Sequence, residues 1–195
     1  MIEKESVEKI LIIKLRGIGD VVLSTIVLDN LRTDFPNAKI DFICEPPSSP
    51  GLEGLAQLNQ VLVLPKGIMG RLKFYIMIRK KKYDLVLDFY SNPTTAQISY
   101  LSGAKYRAGV PYSGRKWAYN LFGPIERDRY HSAVLHLEFL KKINLNVTSE
   151  NLYFFVSKND NLFTEAWLTQ KTLHDKEFFG ISPSGGWPSK KCEPE

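Results

Sequence analysis

Lys9–Cys44, KILIIKLRGIGDVVLSTIVLDNLRTDFPNAKIDFIC, is the stretch whose reading decides the fold. Its first seven residues, Lys9–Leu15, form a short isoleucine-rich run bounded by charge, which predicts a buried strand. Arg16-Gly17-Ile18-Gly19-Asp20 is a glycine turn, after which Val22, Ile26, Leu28 and Leu31 recur at helical spacing between Val21 and Thr33. Phe35-Pro36-Asn37 ends that helix, because proline excludes its predecessor from helical geometry. Lys39–Cys44 alternates and predicts a second strand. Strand, glycine turn, helix and strand compose a βαβ unit, whose parallel crossover is almost always right-handed.

The same rhythm runs on. Gln60–Leu64, Asp84–Phe89 and Lys105–Val110 read as strands, separated by an amphipathic helix over Met69–Lys81 and a short helix over Thr94–Leu101. Pro111–Arg129 reads as a loop rich in aromatic and basic residues. His131–Ile143 reads as a helix with Val134, Leu135, Leu137 and Leu140 towards a core. Alternating strands and helices predict an α/β fold, a Rossmann-like doubly wound parallel sheet. Glu177–Ser182 reads as one more buried strand, with a turn from Pro183 to Gly186, and the sequence stops where the following helix is due. The expectation is a first domain over residues 1–175 and, over 176–195, the first strand and turn of a truncated second one.

A length of 195 residues and an apolar fraction of 44% suit a globular chain. No segment approaches the roughly 20 apolar residues that span a bilayer, and Met1–Lys9 lacks the apolar stretch of a signal peptide. Cys44 and Cys192 form no metal-binding spacing, so a reduced, cytoplasmic setting is expected. The net charge of +5 is concentrated: residues 54–125 hold 11 bases and 2 acids, so this segment should draw anionic partners.

Two places carry candidate chemistry. Gly17-x-Gly19-Asp20 follows the first strand, at the edge where open α/β sheets bind ligands. Val22 stands where GxGxxG needs its third glycine, which counts against a nucleotide-dependent oxidoreductase. An acid at a helix start competes with phosphate for the helix dipole, so Asp20 is read either as a general base for a hydroxyl or as a plain N-cap. The second place is Ser182–Lys190, SPSGGWPSK, a small-residue turn with a lysine suited to a diphosphate, or else a surface loop. Arg107, Arg115 and Lys116 are candidate contacts to an acidic saccharide, while Arg71, Lys73 and Arg79–Lys82 can rest on anionic headgroups or simply cap a helix. His131, His136 and His174 have no metal-ligand spacing, and no Asp-x-Asp metal motif is present. A non-catalytic module for anionic ligands is the alternative reading.

ILIIKLRGIGDVVLSTIVLDNLRTDFPNAKIDFI, followed in order by YDLVLDFYSNPTTAQISYLSGAKYRAGV, HSAVLHLEFLKKINL and ISPSGGWPSKKCEPE, resembles glycosyltransferase family 9, the ADP-heptose:lipopolysaccharide heptosyltransferases. The resemblance implies the N-terminal, acceptor-binding half of a GT-B architecture, with the nucleotide-sugar half beginning near residue 176. It implies inverting, metal-independent sugar transfer to an anionic lipid-linked saccharide of the lipopolysaccharide core, at the inner face of the cytoplasmic membrane. The co-substrate implied is a nucleotide sugar, ADP-heptose by the family's habit, with no other cofactor and no nucleic-acid partner. Asp20 falls on the family's general base, with Lys14, Gly17 and Gly19 forming the acceptor-side turn, while Gly185, Gly186 and Lys190 fall on the donor-phosphate turn. Cys192 stands where the family has tryptophan. Without the donor domain's ribose and base contacts, the 195 residues alone are expected to be inactive.

Overall fold

The structure is a computed structural model and describes residues 2–126, 129–173, 177 and 179–181. Six strands, β1 (Lys9–Ile13), β2 (Lys39–Cys44), β3 (Gln60–Val63), β4 (Leu85–Asp88), β5 (Tyr106–Gly109) and β6 (Leu121–Phe122), form one sheet in the order β3-β2-β1-β4-β5-β6. Every neighbouring pair is parallel. This is the doubly wound order, in which the chain builds outward from β1 on one side and then crosses back to build outward on the other.

β1 lies near the middle of the sheet, and Ile10 to Ile13 are all fully buried because both faces are covered. Ile10 and Ile12 face a core with Leu28, Leu31, Leu137 and Leu140. Leu11 and Ile13 face the other core, with Phe74, Ile78 and Ile98. The first core is roofed by α1 (Ile18–Ser24), α2 (Leu28–Asp34) and α5 (Ser132–Lys142), the second by α3 (Ile68–Lys81) and α4 (Pro93–Ser102). α4 starts with Asn92 and Thr95 in a reciprocal capping box behind Pro93 and stops at left-handed Gly103.

Several sequence expectations are corrected. The helix expected over Val21–Thr33 is two α-helices joined by a 3₁₀ turn at Thr25–Val27; Ser24 and Thr25 hydroxyls donate back to the Val21 and Val22 carbonyls there, which tightens that turn. The segment expected to be a loop over Pro111–Arg129 contains a 3₁₀ turn at Lys116–Ala118 and the edge strand β6. The inward face of α5 is Ala133, His136, Leu137, Phe139 and Leu140, and Val134 is exposed. His136 took the place expected for an aliphatic residue because its ring packs edge-on against Phe89, 4.8 Å between centroids. α3 buries only Phe74 and Ile78 and leaves other apolar residues outside. In Glu177–Ser182, the described residues Glu177, Phe179, Gly180 and Ile181 take no strand conformation and are exposed, and the others lie outside the described residues.

The chain divides into two compact units, residues 1–155 and 156–195. The first contains the sheet and its five helices. In the second, α6 (Lys158–Gln170) is opened by a capping box in which Asp160 N–H donates to Ser157 Oγ and Ser157 N–H donates to Asp160 Oδ2.

Candidate functional site

Where the strand order reverses, the loops leaving two adjacent strand ends part and leave a crevice. Here that point is between β1 and β4. The two loops run side by side: Phe89 N–H donates to the Ile13 carbonyl at 3.0 Å, and Lys14 Nζ stands 5.9 Å from the centre of the Tyr90 ring. Lys14 is buried between them.

The β1 loop ends at Gly17, the N-cap of α1, with φ 80° and ψ 107°. An L-residue disfavours that backbone, and a Cβ there would lie 3.0 Å from Asp20 Oδ2. Gly17 is therefore required twice over, by its dihedral and by the carboxylate it makes room for. Gly19 is different: a Cβ there meets nothing within 4 Å, so its absence leaves the first helical turn bare for another molecule.

Asp20 is the third residue of α1 and is exposed. The N-cap alternative is corrected, since Gly17 occupies that position and no side chain caps this helix. Among the described residues, no side-chain hydrogen bond or ion pair engages the Asp20 carboxylate. The neighbouring cation Arg16 is paired elsewhere, its Nε with Glu45 Oε1 at 2.9 Å. What remains is an open carboxylate at the sheet's C-terminal edge, free to accept a proton from an incoming hydroxyl.

The β4 loop is fixed by a residue the sequence did not single out. Asp88 is fully buried; its Oδ1 accepts from Tyr90 N–H at 3.0 Å and Ser91 N–H at 2.7 Å, and its Oδ2 from the Tyr119 hydroxyl at 2.7 Å. Burial pushes the Asp88 carboxyl above its usual range, against the pull of these donors. Ser91 is held at φ 51° and its hydroxyl accepts from Val110 N–H at 2.9 Å, tying the β4 and β5 loops together. The signal available was the Asp-x-x-Ser-Asn spacing of an Asx turn; Tyr119 lies too far along the chain to be linked to it by spacing.

The three basic candidates are placed separately. Arg115 follows β5 at the same edge, its guanidinium carbon 5.0 Å from the centre of the Tyr112 ring, and its Nε is buried without a hydrogen-bond partner among the described residues. Lys116 is exposed, with Nζ 5.4 Å from the Phe122 ring centre. Arg107 lies within β5, donating to the Ala104 carbonyl before that strand and to the Ala118 carbonyl, and is not gathered with Asp20. Gly185, Gly186, Lys190 and His174 lie outside the described residues. His131 caps α5, accepting from Ala133 N–H through Nδ1. Among the described residues, no three His, Cys, Asp or Glu side chains gather as a metal site, and no helix is long and apolar enough to cross a membrane.

No family model matches the sequence. Over 106 residues the chain is 26% identical to lipopolysaccharide heptosyltransferase 2 of Escherichia coli K12, a match covering 52% of this chain and 30% of that protein. The glycosyltransferase family 9 structure from Veillonella parvula superposes with a TM-score of 0.83 at 17% identity, covering 94% of this chain and 55% of the other. The E. coli ADP-heptose lipopolysaccharide heptosyltransferase II structure superposes with a TM-score of 0.62 at 20% identity, covering 85% and 51%. The chain thus spans about half the length of the solved structures it matches and less of the curated relative. Over that length, its fold is the Rossmann-like α/β fold of the family 9, heptosyltransferase-like glycosyltransferases.

Proposed function

We propose that this chain is the acceptor-binding half of an inverting, metal-independent glycosyltransferase. It transfers a heptose or similar sugar from a nucleotide sugar to an anionic, lipid-linked saccharide of the lipopolysaccharide core, at the cytoplasmic membrane face. The observation that carries the reading is the placement of Asp20: an unengaged, exposed carboxylate beside two glycines at the switch point of a parallel sheet. The heptosyltransferase names of the relatives supply the sugar and the donor class.

In the proposed step Asp20 takes the proton of an acceptor hydroxyl as its oxygen bonds to the anomeric carbon. The bond from that carbon to the diphosphate breaks on the opposite side, and its electron pair leaves with the nucleoside diphosphate. Inversion follows from the single in-line displacement. General-base assistance of this kind contributes about 10²–10⁴-fold. The resemblance assigns the leaving diphosphate to Gly185, Gly186 and Lys190, whose amides and ammonium group would balance its charge. Arg115, with its buried unpartnered Nε beside the same edge, is the basic candidate best placed to meet an anionic acceptor.

The test is sugar transfer from ADP-heptose in a protein that joins this chain to a nucleotide-sugar half of the same fold. Asp20→Asn is expected to lower turnover at least 10²-fold while leaving acceptor affinity within about twofold, because the amide keeps the shape and loses the base. Undiminished turnover removes Asp20 from the role. In the same assay the 195 residues alone are expected to transfer nothing.

A further inference from the structure

α3 is apolar on two opposite sides. Phe74 and Ile78 point into the second core, whereas Ile68, Leu72 and Ile76, spaced by four, make a ridge on the far side with Met69 beside it. That outer ridge is solvent-exposed: Ile68 is 90% and Met69 68% accessible, and Leu72 and Ile76 are each about half so. Between α3 and α4 the ridge borders a groove of about 740 Å³, lined also by the apolar Tyr100 and Leu101 and by the cations Arg79 and Arg107. Trp117 packs edge-on against Tyr100, with ring centroids 5.1 Å apart, and extends the patch with a second half-exposed aromatic.

Charge distinguishes this face from an ordinary sticky patch. Arg71, Lys73, Arg79 and Lys80 flank the ridge and are exposed. The only acids between residues 54 and 125 are Asp84, which accepts the Glu8 and Lys9 amides, and buried Asp88. The segment therefore adds no exposed acid to set against these cations. Two copies meeting through such a face would bring like charges together. A nucleic-acid backbone offers nothing apolar to Ile68, Met69 and Leu72. An anionic bilayer satisfies both halves: phosphates meet the cations, and the interfacial region takes up aliphatic and Trp/Tyr side chains.

We infer that the outer face of α3, with the α3–α4 groove, docks this protein onto the surface of an anionic phospholipid bilayer. The inference names a surface for the membrane contact in the proposed function, but its test reads vesicle binding alone and is indifferent to sugar transfer. The 195-residue chain is to be sedimented with vesicles of phosphatidylcholine and with vesicles containing about a third phosphatidylglycerol. Binding at least tenfold tighter to the anionic vesicles, weakening as salt rises, is expected. Ile68→Ser with Met69→Ser should weaken that binding about tenfold, and Arg71→Glu with Lys73→Glu at least as much, with unchanged circular dichroism since all four side chains are exposed. Equal binding to both vesicles, or none, overturns the inference. So does loss on the charge change alone with the serine variant unaffected, which would reduce the contact to diffuse attraction. A concentration-dependent dimer that the serine variant dissolves, without vesicle binding, would give the face to a second copy instead.

Discussion

The most consequential side chain outside the proposed chemistry is Asp88, since it sets the loop that stands opposite the Asp20 turn. Its carboxyl accepts two amides on one oxygen and the Tyr119 and Ser99 hydroxyls on the other, the last at 3.4 Å, and the Thr95 side chain bonds it as well. Removing a donor from a buried carboxyl group leaves an acceptor oxygen unsatisfied, which costs more than losing an exposed bond does. Tyr119→Phe should therefore destabilise the fold by about 1–2 kcal/mol, and Asp88→Ala, which strands the Tyr90 and Ser91 amides as well, by about 2–4 kcal/mol. Urea unfolding at pH 7 measures both; a Tyr119→Phe midpoint equal to that of the parent would mean that the remaining donors suffice. The contrast with Asp20 shows what was legible at this scale. Gly17 and Asp20 stand three apart behind an obvious strand, so their joint placement could be read from spacing. Asp88 lies inside the run Asp84–Phe89 that reads as a strand, and its partner Tyr119 is 31 residues away, beyond the reach of spacing.

Among the elements, those with a strong period were legible and those held by side-chain hydrogen bonds were not. β2 is legible from its alternation and β4 from an apolar run, and both are strands, while the short helix expected over Thr94–Leu101 is α4, which runs from Pro93 to Ser102. The segment 146–155 has no period at all, yet it is fastened along α2. Asn30 accepts the Thr148 and Ser149 amides, Thr25 accepts the Tyr153 amide, and Asp34 accepts the Asn146 amide. Asp29 completes the strap by accepting from Tyr153, Asn151 and Ser149 at 2.7–3.0 Å. Burial alone would raise the Asp29 pKa, but these hydrogen bonds, with one more from the Gln57 side chain, together outweigh it and leave it lowered. A carboxylate whose folded pKa lies below its unfolded one, near 4, adds stability that is complete above that value and is lost as pH falls through the folded pKa. Asp29→Asn should accordingly cost about 1–2 kcal/mol at neutral pH. Its deficit in urea midpoint should shrink as pH drops below about 4. A deficit that stays constant down to the acid transition would assign the residue to packing rather than to its charge.

At the scale of the molecule, the buried apolar side chains among the described residues all lie between Ile2 and Leu145, and the strap over 146–155 closes the first core against α2. The second unit contributes α6, which buries no residue and leaves Leu162, Phe163 and Trp167 exposed. A core of this size suits a self-sufficient domain, since about 150 residues bury roughly 70% of the surface of the unfolded chain. Ending the chain after Phe155 should then leave one cooperative transition with a Tm within about 3 °C of the parent, a change of under about 1 kcal/mol for a domain this long. Ending it after Leu145 strips partners from Asn30, Asp29 and Thr25 at once. Several partly buried hydrogen bonds at about 1 kcal/mol each make that a loss of about 10 °C or more. Because Asp20, Arg115 and the α3 face all lie before Phe155, the 1–155 fragment should also keep whatever acceptor and vesicle binding the 195 residues have. If the fragment melts without cooperativity, the sheet depends on the second unit. If it melts normally but loses vesicle binding, the apolar side chains of α6, and not the ridge on α3, are what the bilayer takes up.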